Sequence, residues 1–550
     1  MLDPFSRPQE IQEIFRGSLM KTLRRTFSLL SVTVLTAVAL AAPLPSRTSA
    51  TPAEPPVIRV APPAPVFDTA KRVAELATRR QKVAEAIGPK SVMVLFSAEP
   101  RVYTNDVDYH FRQENNLFYL THLNQKRSVL VLMPGTSTPE ILFLPRRNAL
   151  RETWDGYMYS PQQANELSGV KEIWEASEFA PFIAALSKRE SYHPKPENVL
   201  LSSTQPATTN GEGMAALFAA AQKNEGALYL LNFPREGESR EYRQEQRFAG
   251  AWPKESGFNM QNASPIFTQL RLRKSPMELA VMQHAIDITI EAHQRAQAFA
   301  PQAKWEYEVD AQVLYTFKLR NADNWGYPNI VGCGKNATTL HYNESQAPVH
   351  SGLLMLMDVG AEYQHYTADV TRTFPVNGKF TKEQAEIYQV VYDAQEAGAR
   401  ATKPGANLSQ VHNAATEVIK DGLLKLGLIT DRNSDQHRIW FMHGTSHWLG
   451  MNVHDVGGGA TFEPGMVFTN EPGIYIRPDA LDNLPKTVEM EKFIAAVRPA
   501  FEKYKGIGVR IEDDMLVTDT GVKWMSAALA RSIPDIEAFM ARARREGGSR

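Results

Sequence analysis

The chain has 550 residues, more than a single hydrophobic core holds, and reads as two or three domains. Its hydrophobic content of 43% and charged content of 22% are those of a soluble globular protein, and 60 Lys+Arg against 61 Asp+Glu leave no strong field to attract nucleic acid or an acidic membrane. The single cysteine, Cys333, excludes an internal disulfide and a Cys-based zinc knuckle, so any metal site must use His, Asp and Glu, donors that suit manganese, cobalt or zinc.

In chain order, Lys21, Arg24 and Arg25 precede an uncharged apolar run over 27–42, and Ala39-Leu40-Ala41 fits a small-x-small cleavage site. The run is shorter than the roughly 20 residues that cross a bilayer. We expect residues 1–42 to be an N-terminal extension and signal peptide, the signal itself starting at Met20. The protein is then exported, periplasmic or secreted; the alternative is anchoring by an uncleaved N-terminal segment. Residues 43–66, rich in Pro and Ala, read as an extended, unpacked linker.

From Phe67 an α/β pattern begins. Ala70, Val73, Leu76, Ala77 and Val83 mark one helix face, and Ser91–Phe96, 128–133 and 141–144 read as buried strands. A first domain over 67–265 holds only His110, His122 and His193 of the thirteen histidines and no carboxylate–histidine cluster. It is expected to be a packing or substrate-covering domain. A second domain over 266–545 opens on Ser275-Pro276-Met277-Glu278, a capping box, with Leu279, Met282, Ile286 and Ile290 following at helical spacing.

The apolar run over 353–357 ends in Asp358, and Asp369 opens a second strand-like segment after room for a hairpin turn. A carboxylate at the end of a buried strand is costly unless it is paired or bound to a cation. For either acid alone, a pair with Arg372 is an equal explanation. His443, His447 and His454 then fall close together among glycines, which favour a loop over a helix. Glu471 and Glu512 each follow another strand-like run, and Glu512 alone could pair with Arg510. Four such acids beside a histidine cluster point to a two-metal site. Two divalent ions bridged by carboxylates turn a shared water into hydroxide near neutral pH and stabilise the oxyanion of a tetrahedral intermediate.

At these motifs the sequence resembles the pita-bread metallopeptidases of the creatinase/methionine aminopeptidase superfamily, most strongly over 325–517. The resemblance implies an α/β (α+β) fold: an N-terminal creatinase-like α/β domain and a C-terminal pita-bread catalytic domain. It implies Asp358, Asp369, His447, Glu471 and Glu512 as ligands of two divalent ions, manganese first, with cobalt or zinc as alternatives. Glu471 is then also the general base, His341 and His454 contact the scissile peptide, and His443, Tyr475 and Arg510 bind substrate or brace the site.

Ser446-His447-Trp448-Leu449-Gly450, with Phe111-Arg112-Gln113 and Asn116-Leu117-Phe118-Tyr119-Leu120, is similar to the aminopeptidase P branch. That branch implies release of the N-terminal residue from peptides with proline second, no nucleic-acid partner, and a homo-oligomer, dimer or tetramer. Tyr342 and Tyr475 are candidates for apolar surface against the pyrrolidine ring, with a core role equally open. The long stretch between Glu471 and Glu512 is similar to prolidases, so cleavage of Xaa-Pro dipeptides is the alternative. A non-catalytic peptide-binding module would have lost ligands, and all five are present. Residues 478–509 are expected to form a helical insertion bordering the cleft. Thr487 would cap it, Val488, Phe493, Ala496 and Val497 would face inward, and Pro499 would end the helix or start a second one.

Overall fold

Apolar side chains on both faces of the Ser91–Phe96 strand require cover on both sides. The strand lies inside a seven-stranded mixed sheet. Its order is Val199–Leu201, Ile173–Glu175, Glu140–Leu144, Val129–Leu132, Ser91–Phe96, Gly226–Leu230, Phe258–Asn262. Val92 and Val94 face a cluster with Phe143, Phe182 and Trp252, whereas Met93 and Leu95 join a larger core that continues into the C-terminal half. The computed structural model describes residues 56–202, 213–231 and 241–547. The expected export signal and the start of the 43–66 linker lie outside them. Among the described residues, no helix is long and apolar enough to cross a membrane.

The first helix, Thr69–Ile87, buries Leu76, Arg80, Val83 and Ile87, while Ala70 and Ala77, expected on that face, are exposed. Arg80 tolerates burial because its guanidinium donates to Leu120 O at 2.9 Å and Ser168 O at 2.8 Å and pairs with Glu140. The part of the linker that is described, 56–66, is docked rather than unpacked. Ala61 is buried, and its N–H donates to Glu291 Oε2 at 2.8 Å. The Arg59 N–H donates to Gln294 Oε1 at 2.6 Å, and its side chain pairs with Asp287 at 3.0 Å. Asp287, Glu291 and Gln294 form a stripe at helical spacing, which gives an extended strap acceptors along its length.

That stripe belongs to the Pro276–Phe299 helix, capped by the Ser275–Glu278 box and buried along most of its length. Against it lies an antiparallel sheet of Ile330–Cys333, Leu354–Val359 and Val370–Pro375, in which Asp358 faces Thr371. The expected hairpin joins the last two strands through Ala361–Tyr363 and Tyr366–Thr367. At its root a Cβ on Gly360 would fall 1.9 Å from Ala368 O, so only glycine fits. A second sheet holds Val467–Asn470, Asp513–Val517 and Val522–Trp524, and a strand pair joins Gly473–Tyr475 to Gly508–Arg510. Arg372 does not pair with Asp358. It is fully buried, pairs with Asp513 at 2.7 Å, and donates to the carbonyls of Thr371, Glu512, Leu529 and Ala530.

The insertion is helical and Thr487 caps it, but the helix runs unbroken over Val488–Tyr504 with Pro499 inside it. Phe493, Val497, Phe501 and Tyr504 keep one buried face across the proline, and Ala495, whose carbonyl loses its N–H partner there, is exposed to water. Val488 and Ala496, expected inward, are exposed.

The two halves meet through specific polar contacts. Arg112 donates to both Glu362 oxygens at 3.0 and 2.8 Å and to Met451 O at 2.7 Å. Asn115 bonds Asn452 at 2.9 Å, and Arg271 donates to Asn116 Oδ1 at 2.8 Å while pairing with Asp455. Phe118 stacks on His365 with 3.8 Å between ring centroids.

Candidate metal centre

Glycines flanking His443 and His447 keep this stretch out of a helix. It runs extended along the Val467–Asn470 strand instead. The Leu449 N–H donates to Val467 O at 3.1 Å, Thr469 N–H to His447 O at 2.9 Å, and Glu471 N–H to Thr445 O at 2.8 Å. That ladder sets His447 beside Glu471. Asp358 and Asp369 arrive from the hairpin's two arms. Glu512 follows the Gly508–Arg510 strand, its N–H donating to Thr371 O at 3.1 Å and its Oε2 accepting from Thr371 Oγ1 at 2.7 Å.

All five residues line one cavity of about 610 Å³. His447 Nε2 lies 3.3 Å from Asp369 Oδ2 and 3.4 Å from Glu471 Oε1. One donor atom each from Asp369, His447 and Glu512 falls within 4.8 Å of the others. His341, His443, His454 and Arg510 line the same cavity. The His454 ring stands 4.3 Å from that of His447.

Charge accumulates here. Burial, with Asp369 and Asp358 nearby, pushes Glu471 up to about 7. Burial and then the Asp369 and Glu471 charges push Glu512 well above the usual carboxylate range. Burial likewise raises Asp369, helped by Asp358. Burial opposes a charge on His447, yet Asp369 and Glu471 raise it to about 9. Arg510, the one guanidinium that lines the cavity among the described residues, pairs with Asp358. Four converging carboxylates and an imidazole thus exceed the positive charge the protein supplies. Hard or borderline divalent cations fit this donor set.

Sequence reasoning missed Tyr327. Its hydroxyl lies 2.5 Å from Asp358 Oδ1 and 2.6 Å from Asp369 Oδ1, spanning the two acids. The only local signal is the following Pro328, which disfavours a helical backbone at Tyr327. Asp514 was also missed as a support: its Oδ2 accepts the Asp369 N–H at 3.2 Å.

Tyr475 corrects an expectation. It is fully buried and does not line the cavity, so it offers no surface to a proline ring. Its hydroxyl meets His443 Nε2 and Arg510 Nη1, each at 2.9 Å. Tyr342 turns away as well and donates to Glu306 Oε2 at 2.8 Å. No residue of 478–509 lines the cavity. Its helix packs instead on the core away from the cavity, Phe501 against the buried Trp440 with 6.1 Å between centroids and Tyr504 on Glu386 at 2.6 Å.

Two family models match the chain: metallopeptidase family M24 over residues 280–519, and the aminopeptidase P N-terminal domain over 76–193. The chain is 33% identical to the Xaa-Pro aminopeptidase of Escherichia coli (strain K12) over 484 residues, covering 86% of this chain and 98% of the relative. It is 30% identical to human Xaa-Pro aminopeptidase 3 over 491 residues, covering 85% of this chain and 86% of the relative. Among solved structures, Pseudomonas aeruginosa aminopeptidase PepP superimposes with a TM-score of 0.71 at 29% identity, over 86% of this chain and 99% of that one. Escherichia coli aminopeptidase P with the inhibitor Pro-Leu gives 0.69 at 32%, with the same coverage.

Proposed function

The chain belongs to metallopeptidase family M24 and carries an aminopeptidase P N-terminal domain, and from that premise we propose that it releases the N-terminal residue from peptides whose second residue is proline. The observation that supports this most is the convergence of Asp358, Asp369, His447, Glu471 and Glu512 with His341 and His454 in one cavity. The four carboxylates and the His447 imidazole would hold two divalent ions, manganese by preference. When bound, such ions acidify water and polarise the scissile carbonyl.

The chain's own groups do the rest. Glu471, at the cavity wall beside His447, is placed to take a proton from the attacking water and pass it to the departing imino nitrogen. A bond before proline has no N–H to grip. His341 and His454 border the cavity and can hold the carbonyl oxygens on either side. Burial, with His447 and His341 beside it, holds His454 below its ordinary value, so the ring is a neutral donor at pH 7. Arg510 and His443 line the cavity and are joined behind it by hydrogen bonds through the buried Tyr475 hydroxyl.

That 478–509 stays off the cavity lining, and that the relatives are named Xaa-Pro aminopeptidases, favour this reading over the prolidase alternative. We assign catalysis to 266–545 and cleft support to 67–265. Export through residues 20–42 and assembly into a homo-oligomer complete the proposal. The test is hydrolysis by manganese-loaded protein: Ala-Pro-Leu should be cleaved at least as well as Ala-Pro, and strict dipeptide specificity would identify a prolidase.

A further inference from the structure

His341 is exposed at the cavity edge, and among the described residues no hydrogen bond reaches its ring. Its position is therefore set by the loop that carries it, which leaves the Ile330–Cys333 strand and returns at Ala347. Leu340 and Asn343 of the same loop also line the cavity.

Both ends of this loop converge on one carboxylate. Glu306, fully buried at the start of the Glu306–Leu319 helix, accepts four hydrogen bonds. Cys333 N–H at 2.6 Å and Asn336 Nδ2 at 3.0 Å reach Oε1, while Tyr342 Oη at 2.8 Å and Ala347 N–H at 2.9 Å reach Oε2. A carboxylate has about four acceptor sites, and here all are filled by neutral donors from this one loop and its ends. The N-terminal turn of the helix favours the negative charge. On its far side the loop presses on the metal-site strands: a Cβ on Gly508 would fall 2.1 Å from Ala337 O, and Arg510 Nη2 lies 3.4 Å from Leu340 O.

We propose that Glu306 is the latch of the 333–347 loop and, through it, the positioning residue for His341. The proposal rests on the reading of His341 as the histidine that holds the substrate. Glu306→Gln places an amide N–H₂ against two of the four donors and opens the latch without changing shape. We expect hydrogen exchange over 334–347 to accelerate, metal content to stay constant, and kcat/KM on Ala-Pro-Leu to fall about 10- to 100-fold, the effect of misplacing a group by about 1 Å. In a His341→Ala background the same substitution should change kcat/KM by no more than about twofold, because its effect passes through that ring. Tyr342→Phe removes one donor and should show the same pattern more weakly, so the test survives a Glu306 variant that fails to fold. Effects that add fully to those of His341→Ala, or exchange over 334–347 that neither variant alters, would overturn the proposal. Failure of the proposed activity looks different: wild-type protein would leave Ala-Pro-Leu intact while the exchange difference persisted.

Discussion

Replacing Tyr475 by phenylalanine separates a bracing role from a substrate-contact role, because the ring stays and only the hydroxyl goes. The direction of each bond is fixed. His443 Nδ1 lies 2.7 Å from Gly444 O, which can only accept, so the ring proton is on Nδ1. Burial first, and then Arg510, holds His443 down to about 4, so the ring is neutral at pH 7. Its Nε2 therefore accepts from the Tyr475 hydroxyl, and the Tyr475 oxygen accepts from Arg510 Nη1. Tyr475→Phe breaks one hydrogen bond to a charged donor and one neutral bond, both in a buried setting. The sum is a loss of about 2–4 kcal/mol in stability. Loosening of His443 and Arg510 should lower kcat/KM by about 10-fold or more with metal content unchanged. Chemical denaturation, metal analysis and steady-state kinetics on Ala-Pro-Leu read the three quantities. A variant within about 0.5 kcal/mol of wild type and equally active would show the hydroxyl to be idle and refute the relay.

Other outcomes follow from the same geometry. A chelator should abolish hydrolysis and lower Tm, with manganese restoring both; turnover unchanged in metal-free protein would make the acids structural. His447→Ala should lose metal, whereas His454→Ala should keep it and lose about 10²-fold in rate; equal metal loss in both would erase the distinction. His293 and His122 are held by burial at about 3 and about 4, against 6.5 for a free histidine. The unfolded chain therefore takes up protons that the folded chain refuses, so stability is full above about pH 6.5 and falls as pH drops toward 4. His293→Gln should flatten that slope, and an unaltered slope would count against it. Signal cleavage after Ala41 would expose Ala42-Pro43-Leu44, itself a peptide with proline second. Intact mass should then place the start of secreted wild type at Pro43 and of Glu471→Ala at Ala42; one shared start would contradict the activity on this terminus.

Reading strands and caps from the sequence worked where the pattern was local. The Ser91–Phe96 run, the Ser275–Glu278 box and the Thr487 cap needed only nearest neighbours, and each stands where its residues predict. The acids at strand ends were visible for the same reason, since a charge closing an apolar run is conspicuous. Partnerships across the fold were not visible. Arg372 and Arg510 were weighed against Asp358 and Glu512 by proximity in sequence, but they pair with Asp513 and Asp358, because strands bring together residues far apart in the chain. Pro499 misled because its local preference yields to a buried face that continues on both sides of it. Tyr475 stays open between pocket wall, brace and core in the sequence, which shows that an aromatic is near a site but not which way it faces. Tyr327 gave almost no signal, since a tyrosine between two short strands is ordinary until both aspartates are seen around its hydroxyl.

The polar seam between the halves bears on how such proteins recombine. Arg112 and Glu362, Asn115 and Asn452, and Asn116 and Arg271 each join the first half to the second, and Arg271 in turn holds Asp455, next to His454. A chimera that married this catalytic half to a first half without Arg112, Asn115 and Asn116 would hold only one member of each couple. Glu362, side chain almost wholly shielded, would be stranded without its guanidinium, and Arg271 would lose Asn116. Such hybrids should fail at the seam before they fail at the metals, and hybrids that carry both members across should recover. The couples thus make the two segments of this chain depend on each other's side chains, and neither can be exchanged as a bare backbone.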